Sequence, residues 1–201
     1  FKFELDKNFK FKNFDIKSDI NLDYLKFKNF LNLENNFPKI NDEIFLENQK
    51  IELKYKEDKL EISGLGNFLL QEEPDIIEYK ILKNKDKYSF DTKLKITKNK
   101  LVFDILNYEK DKKSNLDLAV KGIKNKNQFI FNEILLSENN NIFFIKNLRL
   151  SDKYKINDIG NIKINYLDKD NFSNQLQVTK NKKNYRITGN SFNINKIINE
   201  L

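Results

Sequence analysis

The stretch YSFDTKLKI, residues 88–96, alternates without a fault. Tyr88, Phe90, Thr92, Leu94 and Ile96 point one way, and Ser89, Asp91, Lys93 and Lys95 the other. A period of two is the pattern of a half-buried β-strand, because successive side chains leave a pleated backbone on opposite faces. The same alternation returns along the chain. FDIKSDINL (14–22) carries Phe14, Ile16, Ile20 and Leu22 on one face, and IELKY carries Ile51, Leu53 and Tyr55. LVFDI carries Leu101, Phe103 and Ile105; LDLAVKG carries Leu116, Leu118 and Val120; FSNQLQV carries Phe172, Leu176 and Val178. About thirteen such runs, separated by turn signals, define an all-β chain.

Helical patterns are few. Ile194, Ile197, Ile198 and Leu201 follow a helical spacing after YRITGNSF, with Asn193 or Ser191 as N-cap. This predicts one short C-terminal helix. YLKFKNFLNLENNF (24–37) fits neither period cleanly, and QEEPD (71–75) reads as a loop because Pro74 lacks a ladder donor. No boundary or linker interrupts the sequence, so residues 1–201 read as a single β-rich segment. The chain begins at Phe1 and contains no Met, which reads as a piece of a longer protein.

With 18 Phe and 39% hydrophobic residues, the chain has the material to fold despite 33% charged residues. There are only five glycines, and Asn, which tolerates the left-handed conformation, is expected to take their place in turns. The net charge of +7 is spread along strands in which Lys alternates with Glu and Asp. The denser clusters at 83–87, 109–113 and 180–183 read as solvated hairpin turns. Phe and Lys fall on opposite faces, which is unlike the joint stacking surface of a single-strand nucleic-acid binder, so no nucleic-acid partner is expected.

Much catalytic chemistry is missing. Without His there is no Ser-His-Asp triad, and without Cys there is no thiol nucleophile, disulfide or common zinc module. No phosphate-binding glycine loop is present; Gly64-Leu65-Gly66 is too short and sits in a strand-like run. Glu72, Glu73 and Asp75 cluster in one loop, but carboxylates beside a proline there read as solvent-exposed. The chain is expected to be no enzyme and to use no cofactor.

With so few helices, the apolar faces of these strands need another cover. A second sheet would make a sandwich, the same sheet curling over would make a barrel or open groove, and a non-protein apolar partner would make a lipid conduit or an interface.

The order of features resembles the AsmA-like superfamily of bacterial envelope proteins, and its YhdP-type branch most. The likeness runs through FPKINDEIFLENQKIELKYKEDKLEISGLGNFLL (37–70), DIIEYKI (75–81) and the strand at 88–96. It continues in LNYEKDKKSNLDLAVKG (106–122), with its Tyr-x-Lys segment before a strand, and in IFFIKNLRLSDKYKINDIGNIKINY (142–166). It ends in YRITGNSFNINKIINEL, a strand, a glycine, and a polar stretch leading into a short helix. The resemblance implies an elongated, mostly antiparallel sheet curled into an open periplasmic groove. It further implies a parent protein anchored in the inner membrane, a part in phospholipid transport to the outer membrane or in outer-membrane homeostasis, and neighbouring segments of the same chain as partners. Acyl chains would then lie on the apolar face while headgroups stay wet, with Phe90, Leu94, Phe103, Leu118, Val120, Phe131, Leu176 and Val178 as candidate lining. The rival expectation is a structural or adhesive β-sandwich module of a surface protein, with a closed core and no bound lipid.

Overall fold

The computed structural model describes residues 2–9, 11–28, 40–41, 43–110 and 113–193. They form fifteen strands: β1 (Lys2–Leu5), β2 (Phe11–Lys28), β3 (Glu43–Lys56), β4 (Lys59–Leu69), β5 (Pro74–Asn84), β6 (Lys87–Ile96), β7 (Val102–Phe103), β8 (Tyr108–Glu109), β9 (Leu116–Lys124), β10 (Gln128–Glu138), β11 (Asn141–Ser151), β12 (Ile156–Asp158), β13 (Asn161–Leu167), β14 (Ser173–Asn181) and β15 (Asn184–Ser191). Thirteen of them make one antiparallel sheet that does not close into a barrel. Its order is β1-β2-β3-β4-β5-β6-β9-β10-β11-β13-β14-β15, with β12 paired to β11. β7 and β8 form a separate two-stranded ladder within the β6–β9 connection.

This meander follows from short turns. Asn107, Asn139 and Asn171 adopt positive φ in turns, as do Glu57 and Asp58 between β3 and β4, and no glycine does. Asparagine has taken over part of glycine's usual role. The glycines serve close approach instead. A Cβ on Gly64 would lie 2.3 Å from the Tyr79 ring, and one on Gly122 would lie 2.6 Å from the Phe90 ring and 2.5 Å from the Ile130 carbonyl oxygen. Each aromatic ring lies over the bare backbone of the glycine beside it.

Several strands change apolar phase part-way along. In β3 the apolar side chains are even-numbered at Ile44 and Leu46 and odd-numbered at Ile51, Leu53 and Tyr55. A bulge between Glu47 and Lys50, with Asn48 at φ 51°, absorbs the slip, so that Leu46 faces Phe68 and Ile51 faces Gly64 on one side of β4. β10 slips between Phe131 and Glu133, and β11 slips in register with it at Asn147, φ 56°. The bulges return each apolar set to one face.

That face carries an unbroken cross-strand row. Ile20, Ile51, Gly64, Tyr79, Thr92, Val120, Ile134, Ile145, Ile162, Val178 and Ile187 stand opposite one another on eleven successive strands. At 4.7–4.9 Å per strand the row runs for roughly 50 Å. On the reverse face a parallel row alternates in sign, Lys80, Asp91, Lys121, Glu133 and Lys146. A one-residue slip would exchange these rows, which fixes the register.

The sequence placed Leu101, Phe103 and Ile105 on one strand. Only Val102–Phe103 is extended, and a 3-10 turn over Asp104–Leu106 follows. Pro74, assigned to a loop, is the first residue of β5, where a missing donor is tolerated. Residues 24–28 belong to β2, while the remainder of the 24–37 stretch and the expected helix from Ile194 onward lie outside the described residues.

Gly122→Ala is expected to destabilise the chain by roughly 1–3 kcal/mol. Gly64→Ala should cost less, because the mobile tip of the Tyr79 ring can move where the Ile130 carbonyl cannot. Urea denaturation of the two variants checks the order.

Candidate functional site

Seven of the eight candidate lining residues share the apolar face. Phe90 and Leu94 are on β6, Leu118 and Val120 on β9, Phe131 on β10, and Leu176 and Val178 on β14. Val120 and Val178 belong to the long row. Leu94, Leu118 and Leu176 belong to a flanking row through Leu136, Phe143 and Ile164. Phe90 and Phe131 lie on either side of Gly122 in a third row, with their rings 5.8 Å apart and edge-on. Phe103 is not in the sheet at all; it sits on β7.

Among the described residues the face has a covered end and an uncovered remainder. The described part of the β6–β9 connection, residues 97–110 and 113–115, folds over the apolar face as a strap at one end of the strands. Its Leu101 joins Ile96, Leu116 and Leu136 in a fully buried cluster, with Leu94, Phe103, Leu118 and Phe143 packed against it. Tyr108 inserts beside Phe143 and Tyr166 at ring separations of 4.9 and 5.9 Å. Elsewhere on the face Thr92, Val120, Ile134, Ile145, Ile162 and Val178 are only half-buried, and Ile187 is 66% exposed. Leu94, Phe103 and Leu118 thus belong to a packed protein core, whereas Phe90, Val120, Phe131, Leu176 and Val178 lie outside it.

Polar groups hold the strap down on both flanks. On the β5 side, the Thr97 N–H donates to Asp75 Oδ1 at 3.0 Å and Asn99 Nδ2 donates to Asp75 Oδ2 at 2.8 Å. Lys110 Nζ donates to the Thr97 carbonyl at 2.8 Å. Burial pushes the Asp75 carboxyl above its ordinary value, against the opposing pull of Asn99, Thr97 and Lys110. On the β10 side, Tyr108 donates to Glu138 Oε2 at 2.5 Å, and Ser114 Oγ donates to the other carboxylate oxygen. The Tyr166 hydroxyl donates to the Leu106 carbonyl at 2.7 Å, and the Lys169 N–H donates to the Asn107 carbonyl at 2.9 Å. Burial, then the Glu138 hydrogen bond, push the Tyr108 hydroxyl far above its ordinary value; burial and the nearby Asp168 push Tyr166 up to about 12.

Two expectations need correction here. Glu72 and Glu73 are exposed, but Asp75 is buried, because its alternation along β5 turns it beneath the strap. Lys110 is not a solvated turn lysine; it is 1% exposed, with its ammonium held by a strap carbonyl. The Tyr-x-Lys spacing of Tyr108 and Lys110 was the one visible signal, since it places both side chains on the same side of a short strand. Asn99, Glu138 and Tyr166 carried no such signal.

No group of three or more Asp and Glu side chains placed to hold a metal ion lies among the described residues. No helix among them is long and apolar enough to cross a membrane. No protein-family model, curated protein or solved structure matches the chain.

Tyr108→Phe leaves the buried Glu138 short of a donor and is expected to cost about 1.5–3 kcal/mol. The tyrosines also set an alkaline limit. Their native values lie above the ordinary 10.0, so the stability they contribute is complete below pH 10 and is lost as the pH rises through the raised values. Urea midpoints measured from pH 8 to 12 should fall for the parent chain and fall less steeply for Tyr108→Phe.

Proposed function

We propose that this chain is a periplasmic segment of an AsmA-like protein whose parent is anchored in the inner membrane. In this reading the sheet curls toward its apolar face and forms an open groove. The groove holds phospholipid acyl chains as they pass between the inner and outer membranes. The segment carries out no reaction and needs no cofactor. Its partners are lipid and neighbouring segments of the same longer chain.

The observation that carries this reading is the continuous apolar row from Ile20 to Ile187, most of which no second sheet covers among the described residues. A methylene moved from water onto such a surface contributes about 0.8 kcal/mol when fully buried. An acyl chain lying along the row is therefore held by area, with no need for a specific residue. Because the row repeats similar side chains on each strand, neighbouring positions hold a chain about equally, which suits movement along it.

The asymmetry of burial supports the curl. Ile76 and Leu82 on the charged face of β5 are 47% and 36% exposed, while Ile77 and Ile81 on its apolar face are half-buried. A sheet that bends toward its apolar side crowds that side and opens the other. A closed adhesive sandwich would instead bury Val120, Ile145 and Val178 as fully as Leu116 under the strap, and they are not so buried.

A photocrosslinking amino acid at Val120 or Val178 in the parent protein, in cells, is expected to yield lipid adducts. The same probe at Asp91 or Lys93, on the charged face, should yield none. Adducts at neither pair in a folded protein would remove the basis for the lipid reading, as would equal adducts at both.

A further inference from the structure

The apolar face ends in cations on the side away from the strap. One row beyond Phe90 and Phe131, the residues Lys83, Tyr88, Lys124 and Phe129 stand opposite one another on β5, β6, β9 and β10. The ammonium groups of Lys83 and Lys124 lie 5.8 and 6.0 Å from the centre of the Tyr88 ring, and that of Lys124 lies 5.5 Å from the centre of the Phe129 ring.

These lysines differ from those on the reverse face. There, Lys80 pairs with Glu61 at 2.9 Å, Lys93 with Glu78 at 3.8 Å and Lys121 with Asp91 at 3.7 Å. Lys83 and Lys124 have no ion pair among the described residues; aromatic rings are their close neighbours. Asp86, in the adjoining turn, is taken by Lys126 at 3.0 Å. The positive charge at this rim is thus left uncompensated by carboxylates, next to the apolar rows.

We infer that Lys83, Tyr88 and Lys124 form a site for the phosphate of a lipid headgroup, whose acyl chains lie on the adjoining apolar row beside Phe90 and Phe131. The inference rests on the lipid reading above. The geometry suits an amphiphile. The strands bearing the two lysines are separated by one strand, about 9.5 Å in the backbone. Their flexible side chains and the Tyr88 hydroxyl can therefore donate to one phosphate from three sides. An ammonium beside an aromatic face also keeps most of its charge available, because the ring's attraction is modest at an exposed site. The opposite end of the strands offers no equivalent, since the strap covers the face there and its buried Lys110 already holds a carbonyl.

Binding of a short-chain phosphatidylglycerol, kept below its micellar concentration, tests this on the full chain by calorimetry. Short-chain diacylglycerol and inorganic phosphate serve as the comparison probes. The variant Lys83→Gln/Lys124→Gln is set against Lys80→Gln/Lys93→Gln, which removes the same charge from the reverse face. The first variant should weaken phosphatidylglycerol binding roughly tenfold and flatten its salt dependence. It should leave diacylglycerol binding unchanged, and the second variant should bind like the parent chain. Inorganic phosphate should bind far more weakly than the lipid. Equal losses in both variants would overturn the site in favour of diffuse charge. Parent-chain affinities equal for phosphatidylglycerol and diacylglycerol would overturn it while leaving the apolar groove standing. Inorganic phosphate binding as tightly as the lipid would make it a free-anion site and not a headgroup site. Binding of neither lipid would overturn the groove and the site together.

Discussion

The phase of one cross-strand row governs this fold. Nine of its eleven strands place an apolar side chain in the row, with Gly64 and Thr92 at the other two positions, and a polar or charged residue flanks each position on the opposite face, so the sheet has an oily side and a wet side. In the charge ladder from Lys80 to Lys146 on the reverse face the lysines are exposed and Asp91 and Glu133 half-buried, and ion pairs there contribute little stability. The ladder contributes specificity instead, because a slip by one residue would bring lysines into the apolar row. The bulges at Asn48 in β3 and at residues 131–133 in β10 serve the same requirement. They let long strands twist while keeping their apolar side chains on one face.

The strap resolves a conflict that the row creates. A single sheet with a wide apolar face has no dry core of its own. The β6–β9 connection supplies one at one end, where Leu101, Val102 and Tyr108 bury Ile96, Leu116 and Leu136. Its irregular backbone and its buried Asp75, Lys110 and Glu138 would be costly without partners. Nearly all the bonds that anchor it therefore run from polar groups to carbonyls or carboxylates. The fully buried apolar cluster is concentrated at that end, and among the described residues no second sheet covers most of the remaining face.

Much of this was legible from residue order. Strand periodicity at 14–22, 51–55, 88–96 and 116–122 marked true strands with the correct faces, and asparagine did take over turns from glycine. The even-to-odd change between Leu46 and Ile51 shows in the sequence as a break in alternation, and an asparagine at the break signals a bulge. What was hidden is tertiary. Leu101, Phe103 and Ile105 alternate as a strand does, but the strap must bend to reach both Asp75 and Glu138, and a 3-10 turn serves that bend. Asp75 and Lys110 looked like solvent residues because their burial depends on each other's segment. Lys83 looked like an ordinary turn lysine, because only register shows that it shares the apolar face with Lys124, Phe90 and Phe131.

The central claim is that most of the row is left uncovered by the described residues. The chain contains no cysteine, so single cysteines report on one position at a time. The measurement is the rate of thiol alkylation at Val120→Cys and Ile162→Cys in the folded chain. Leu116→Cys beneath the strap and Ser89→Cys on the reverse face set the limits. Rates at Val120 and Ile162 near that of Ser89, with Leu116 strongly protected, are what an uncovered apolar face predicts. Protection at Val120 and Ile162 equal to that at Leu116 would mean that protein closes over the row, and would contradict the account.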